Sequence, residues 1–328
     1  MKFNDFIGNE KVKEKLSRLI ESSRLPHAIV IEGEEGLGKK TLAREIALSL
    51  FCKGDEERPC RKCAQCSKVL KNIHPDIIHY YGSGISNTIA VGTIRELIED
   101  AYIKPNEADY KILILDDCAN MNASAQNALL KVLEEPPEYV VIILCVNSKS
   151  TLLETVLSRS VVITLEGVDS SQGAQYICAK DESISYEDAF KALSLWGGNI
   201  GKALECLNDG KLSKISEIAN DIACAMIKDN EYELLKACSV FEKDRETLIA
   251  SLSLLKAILR DALLYDSKVN SVSGQNETAK LLASRLTDMK LLKLIDVCDR
   301  VSYQASGNGN NAILITKICY ELRRAQGR

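Results

Sequence analysis

Residues 31–41 read IEGEEGLGKKT, between the apolar run HAIVI at 27–31 and the helix-forming run LAREIALSLF at 42–51. A strand, a glycine-rich turn and then a helix is the context in which G-x-x-x-x-G-K carries physical meaning. Gly33, Gly36 and Gly38 let the backbone bend so that successive N–H groups point inward at phosphate oxygens. The following helix adds its positive N-terminal end, and Lys39 supplies a point charge for the outer phosphates. The next position ordinarily holds Ser or Thr, whose hydroxyl binds Mg²⁺. Here it is Lys40, and the hydroxyl has moved to Thr41. One residue along a helix turns the side chain by about 100°, so Thr41 is not expected to reach the same metal. The stretch reads as a phosphate cradle with a damaged Mg²⁺ ligand.

Outward from this loop, composition sets the frame. A chain of 328 residues exceeds one ordinary domain, so two or three are expected. An apolar share of 46% and a charged share of 27% describe a globular protein. A net charge of −4 gives no global electrostatic reason to bind nucleic acid, so any DNA contact needs a local patch or a partner. No apolar run approaches the ~20 residues of a membrane span, and Met1 leads into a charged amphipathic segment. The expectation is a cytoplasmic protein with no membrane partner. Twelve cysteines then do not read as a disulfide framework. Eight are scattered among apolar residues and read as buried, inert thiols.

The other four are clustered. Cys52, Cys60, Cys63 and Cys66 are spaced C-x7-C-x2-C-x2-C in a polar loop after the P-loop helix. Four thiolates can wrap one tetrahedral Zn²⁺ and leave no open position for water, so the expected metal is structural. Such a loop cannot fold on its own burial, and a metal supplies what a core cannot.

Strands alternating with helices from 27 to 164 imply a parallel sheet covered on both faces. KILILDD, 111–117, is a buried strand ending in two carboxylates. Asp116 stands where a strand-end Asp orients Mg²⁺, and Asp117 where a glutamate would polarise water, one methylene short. NASAQNALLKVLEEPP is a helix stopped by Pro136 and Pro137, and VVIILCVN is a strand ending at Asn147. YGSGISN, 81–87, reads as a turn. Three short helices are expected between 167 and 208, and the remainder is helical in period, with ETAKLLASRLTDMKLLKLIDVCDRVSYQ (277–304) as a single element. SGNGNN, 306–311, reads as a break before the last helix. His27, ahead of a buried strand, reads as structural.

GEEGLGKKTLA, the four-cysteine loop, KILILDDCANMNASAQNALLKVLEEPP and SRS together resemble the bacterial clamp-loader AAA+ subunits of DNA polymerase III. Within that family the chain resembles the delta-prime type more than the gamma/tau motor type. The resemblance is strong from 1 to about 208 and weak beyond. It implies a P-loop AAA+ core with zinc module at 1–166, a three-helix lid at 167–208, and an all-α oligomerisation collar at 209–328. It further implies Lys39 as the Walker A lysine, Asp116 as the Walker B aspartate, and Asn147 at sensor 1. Arg159 of Ser158-Arg159-Ser160 is implied as the finger that reaches into a neighbour's ATP site. The partners implied are the gamma/tau and delta subunits and, through the complex, the sliding clamp and primed DNA.

The chain departs from the family pattern at several points. Gly201, with Lys202 beside it, falls where a sensor 2 arginine is expected, and the cysteine loop is one residue short between its first two cysteines. Lys40, Asp117 and Gly201 each remove a group worth ~2–4 kcal/mol of transition-state stabilisation. Three readings follow. The first is a subunit of the DNA polymerase holoenzyme with little or no ATPase of its own, acting in trans through Arg159. The second is an active gamma/tau-type ATPase. The third is a free-standing zinc-containing nucleic-acid binder, against which the negative charge argues.

Overall fold

The computed structural model describes residues 1–54, 58–82, 88–118, 121–228, 231–239, 245–265, 273, 275–305 and 311–327. Most of the expected turn at 81–87 and of the expected break at 306–311 lies outside the described residues. The chain divides into two compact units. One comprises Met1–Gln172 with Asn199–Gly201, the other Gly173–Gly198 with Lys202–Arg328.

The first unit is built on five parallel strands: β1 (Ala28–Glu32), β2 (Ile77–Tyr80), β3 (Lys111–Leu115), β4 (Val140–Val146) and β5 (Val161–Thr164), in the order β2-β3-β4-β1-β5. Strand side chains alternate between faces, and both faces are apolar here. Ile29 and Ile31 of β1 join Ile112, Ile114, Val141 and Ile143 in one buried cluster. Ala28 and Val30 join Leu113, Leu115, Ile142 and Leu144 in another on the opposite face. A sheet buried on both sides needs helices on both sides. The first cluster is completed from α1 (Glu10–Glu21), α2 (Lys39–Phe51) and α3 (Ala64–Leu70) by Leu16, Leu42, Ile46 and Val69. The second takes Ile94 and Leu97 of α4 (Val91–Ala101) and Leu129 and Val132 of α5 (Ala123–Glu134). The short α6 (Glu154–Leu157) precedes β5.

Three helices then follow where the periodicity puts them: α7 (Ser170–Lys180), α8 (Tyr186–Leu195) and α9 (Ile200–Asn208). The remainder is α10 (Lys211–Lys228), α11 (Glu231–Ser239), α12 (Arg245–Leu263), α13 (Asn276–Arg285), α14 (Asp288–Ala305) and α15 (Asn311–Gln326). Leu255, Ile258 and Leu259 of α12, Leu294, Val297 and Cys298 of α14, and Ile318 and Leu322 of α15 recur at helical spacing and share one apolar cluster. The expected single element at 277–304 is two helices. Leu286 is extended, and the chain restarts with the Thr287 carbonyl accepting from Leu291 N–H. Thr-Asp is a helix-start signal that the continuing apolar period hides. No described helix is long and apolar enough to cross a membrane.

Candidate functional site: the P-loop and its strand-end partners

In a parallel sheet the loops beyond the carboxyl ends of the strands form the natural ligand crevice. The strand order sets β4 between β1 and β3, so the loop after β1, Asp116 after β3 and Asn147 after β4 emerge side by side. The loop turns through left-handed Gly36 and Gly38 (φ 89° and 87°), which a Cβ would strain. Gly38 caps α2, whose first turn holds Lys39, Lys40 and Thr41. At the other end Gly33 N–H donates to Val146 O at 3.1 Å, tying the loop to β4.

Lys39 is half-buried, and burial lowers its pKa below the ordinary lysine value. Its ammonium donates to Gly33 O, to Glu34 O at 3.0 Å and to Asn147 Oδ1 at 2.9 Å. An ammonium has three donors, and this one gives all three to its own chain. Asn147 therefore meets the P-loop lysine, bringing two of the expected site residues into direct contact.

Asp116 is 2% exposed. Its Oδ2 has two partners: Lys40 Nζ at 3.5 Å and His79 Nδ1 at 3.2 Å, the latter donating in the tautomer with its proton there. Oδ1 is sealed from solvent with no donor among the described residues. Lys40 Nζ also lies 5.4 Å from the Tyr81 ring centroid, and Tyr81 stacks on His79 at 6.0 Å. Lys40, Thr41, Arg44, His79 and Tyr81 line a cavity of about 380 Å³ beside the loop. Asp117 follows in the left-handed region (φ 57°), a conformation that Asp tolerates better than most residues.

Asn199 and Gly201 close over the loop. Asn199, 2% exposed, donates from Nδ2 to Glu35 O at 2.7 Å, and Gly201 N–H donates to Gly36 O at 3.0 Å. A Cβ on Gly201 would lie 2.5 Å from Gly36 Cα. The sequence reads position 201 as a missing arginine, whereas the structure shows a backbone approach that leaves no room for any side chain.

Arg159 follows α6 at the surface. Its guanidinium pairs with Glu134 Oε1 at 2.8 Å and donates to Thr155 O at 2.9 Å, with the Arg159 side chain 36% and Glu134 50% exposed. A pair this exposed is worth only ~0–1 kcal/mol, so it is readily exchanged for another anion.

The sulfurs of Cys52, Cys60, Cys63 and Cys66 all lie within 4.8 Å of one another. A zinc tetrahedron with bonds of about 2.3 Å has edges of about 3.8 Å, so the four fit one ion after a small contraction. Backbone N–H groups already point at them. Cys60 N–H donates to Cys52 Sγ at 3.2 Å, and Cys63 N–H to Cys60 Sγ at 3.3 Å. Backbone N–H groups of Lys62 and Cys63 lower the Cys60 thiol to about 6, whereas burial pushes Cys66 up. The donor set is therefore part-prepared for a cation, which would hold the remaining thiolates. The module is tied down by Arg61, which pairs with Asp5 at 2.6 Å and with buried Glu45.

Residues 8–169 match the family described as DNA polymerase III, delta subunit. The DNA polymerase III subunit gamma of Buchnera aphidicola (subsp. Acyrthosiphon pisum) is 27% identical over 267 residues, covering 78% of this chain and 72% of that protein. The DNA polymerase III subunit tau of Escherichia coli K12 is 26% identical over 275 residues, covering 80% of this chain and 42% of that one. The chain is thus similar to DNA polymerase III subunits, with the family match lying at residues 8–169. A solved DNA polymerase III gamma subunit-related protein from Thermotoga maritima aligns over 95% of this chain and 99% of its own at 18% identity and TM-score 0.41. That likeness is too loose to bear on the site.

The occupant that a G-x-x-x-x-G-K loop implies is a nucleotide phosphate with Mg²⁺. The cradle fits phosphate, but the metal seat does not fit a divalent ion. A 2+ ion at ~4 Å from the Lys40 ammonium, itself 67% exposed, would meet at most about 8 kcal/mol of repulsion at an effective dielectric of 20. His79, Glu134 and Asn199 are site neighbours that the sequence reading did not single out. Only His79 carried a local signal, since in a strand ending at 80 it shares a face with Ile77 and Tyr81.

Proposed function

We propose that the chain is a delta-prime-type subunit of the DNA polymerase III clamp loader. It assembles with gamma/tau and delta subunits, hydrolyses little ATP itself, and completes a neighbouring motor subunit's active site with Arg159. The complex so formed opens a sliding clamp and places it on primed DNA. Residues 1–166 serve as AAA+ core with a structural zinc at Cys52, Cys60, Cys63 and Cys66. Residues 167–208 serve as a lid and 209–328 as the collar that holds the ring.

The observation that carries this reading is the self-satisfied cis site. Lys39 gives its three donors to Gly33, Glu34 and Asn147, so gripping a γ-phosphate requires breaking one of these bonds. Asp117 supplies a carboxylate one methylene short of the expected base. Arg159 by contrast stays at the surface in a weak pair, and a finger of this kind is worth ~10³–10⁵ in rate to the site it enters. The cradle and the Lys39–Asn147 contact would also serve an active gamma/tau-type motor. ATP turnover by the purified chain decides between the two: the delta-prime reading expects negligible turnover alone, and motor-like turnover overturns it.

A further inference from the structure

We propose that Lys40 is the resident cation of this nucleotide site, its ammonium replacing the divalent metal on Asp116, so that a phosphate entering the Gly33–Gly38 loop is bound without Mg²⁺. The inference rests on the phosphate-cradle reading above and adds to it how the site handles ions.

Position 40 sits in the first turn of α2, where a short hydroxyl would reach the strand-end aspartate only through a metal. The four-carbon stem of lysine spans that gap by itself, and Lys40 Nζ stands 3.5 Å from Asp116 Oδ2. Two further groups define the seat. His79 holds the same oxygen at 3.2 Å, and the Tyr81 ring faces the ammonium at 5.4 Å while stacking on His79. An aromatic face attracts an ammonium through its quadrupole, so the ring and the carboxylate hold Nζ from two sides. The seat of the metal is thereby filled by a charge that cannot dissociate from the chain. One oxygen of its anionic ligand, Asp116 Oδ2, is held by protein partners, and the cation stays at the mouth of the phosphate loop whether or not a nucleotide is there. A motor whose cation arrives with the nucleotide loses affinity when metal is chelated. A site whose cation is built in does not.

The test measures ADP affinity by calorimetry in EDTA and in Mg²⁺, and Mn²⁺ binding by electron paramagnetic resonance with and without ADP, on the full-length chain. Wild type should bind ADP equally in both buffers, within about two-fold, and immobilise no Mn²⁺ at this site. Lys40→Thr should take up stoichiometric Mn²⁺ with ADP and bind ADP about ten-fold or more tighter in Mg²⁺ than in EDTA. Lys40→Met, with neither charge nor ligand, should bind ADP more weakly than wild type in EDTA. It also controls for folding, because an uncharged stem of similar length keeps the packing. Stoichiometric Mn²⁺ on wild type, ADP binding lost on chelation, or a Lys40→Thr chain that folds and still takes no Mn²⁺ would each overturn the proposal. If neither wild type nor Lys40→Thr binds ADP but Lys40→Thr gains Mn²⁺, the cation assignment stands and the phosphate cradle alone fails.

Discussion

Replacing Gly201 by alanine perturbs the closest backbone approach in the nucleotide site. The new methyl would stand 2.5 Å from Gly36 Cα and 2.8 Å from Gly36 O. Both are main-chain atoms of a loop held in the left-handed region at Gly36, so neither neighbour can swing aside as a flexible side chain would. Relief requires the 199–201 segment to lift, which strains or breaks the Gly201–Gly36 and Asn199–Glu35 hydrogen bonds of 3.0 and 2.7 Å. Overpacking costs ~1–3 kcal/mol and a lost hydrogen bond ~0.5–1.5 kcal/mol, so the substitution should cost about 2–4 kcal/mol. For a unit of this size that is a fall in melting temperature of roughly 4–16 °C, read by circular dichroism. Gly201→Arg, which restores the family's residue by sequence, should be at least as destabilising and should not tighten ADP binding. Gly92→Ala is the control. Gly92 lies in α4 with nothing within 4 Å of the added methyl, and the change should be neutral or stabilising by up to about 1 kcal/mol. If Gly201→Ala melts within the error of wild type, the close approach is wrong and position 201 is merely a lost charge.

Two further outcomes are expected. Protein purified without chelator should contain one zinc per chain by atomic emission. Cys66→Ser should abolish it and lower the melting temperature, with zinc affinity weakening on acidification because the ligands must be thiolates. Asp76 is fully buried. Burial alone would raise its carboxyl, but N–H donors from Asn106, Glu107 and Ala108 outweigh it and hold the pKa below the usual carboxylate value. A depressed folded-state pKa contributes stability that is full above the unfolded value and lost as pH falls through the folded one. Asp76→Asn should therefore cost about 2–4 kcal/mol at neutral pH and flatten the acid limb of the stability profile below about pH 4. An unchanged acid limb would show that Asp76 does not pin the 106–108 turn.

What the sequence disclosed was local. The P-loop was legible because a strand, glycines at fixed offsets and a helix are contiguous, and the sheet because buried strands at 111–115 and 140–146 are short apolar runs between turn signals. The cysteine cluster announced itself by spacing. What stayed hidden was contact across the fold. Lys40 could be read as a lost hydroxyl, but its reach to Asp116 depends on α2 and β3 flanking one crevice. The tie from Asp76 to 106–108 and the Arg159–Glu134 pair likewise join segments that only the folded sheet brings together. Gly201 was legible as an absence, yet its physical cause, backbone on backbone, lies in the distant Gly36.

The central claim, action in trans, rests on Arg159. Its partners on the chain are exposed Glu134, the Thr155 carbonyl and Ser158 Oγ, so Arg159→Ala should leave folding, zinc content and ring assembly unchanged. The direct measurement is clamp- and DNA-stimulated ATPase of a complex reconstituted from this chain with the gamma/tau and delta subunits. With Arg159→Ala the stimulated rate should fall, because one motor site loses its transition-state cation. Arg159→Lys should not restore it, since a compact ammonium lacks the planar fork that grips phosphate oxygens. Stimulated ATPase equal to wild type in both variants would contradict the account and leave Arg159 an ordinary surface pair.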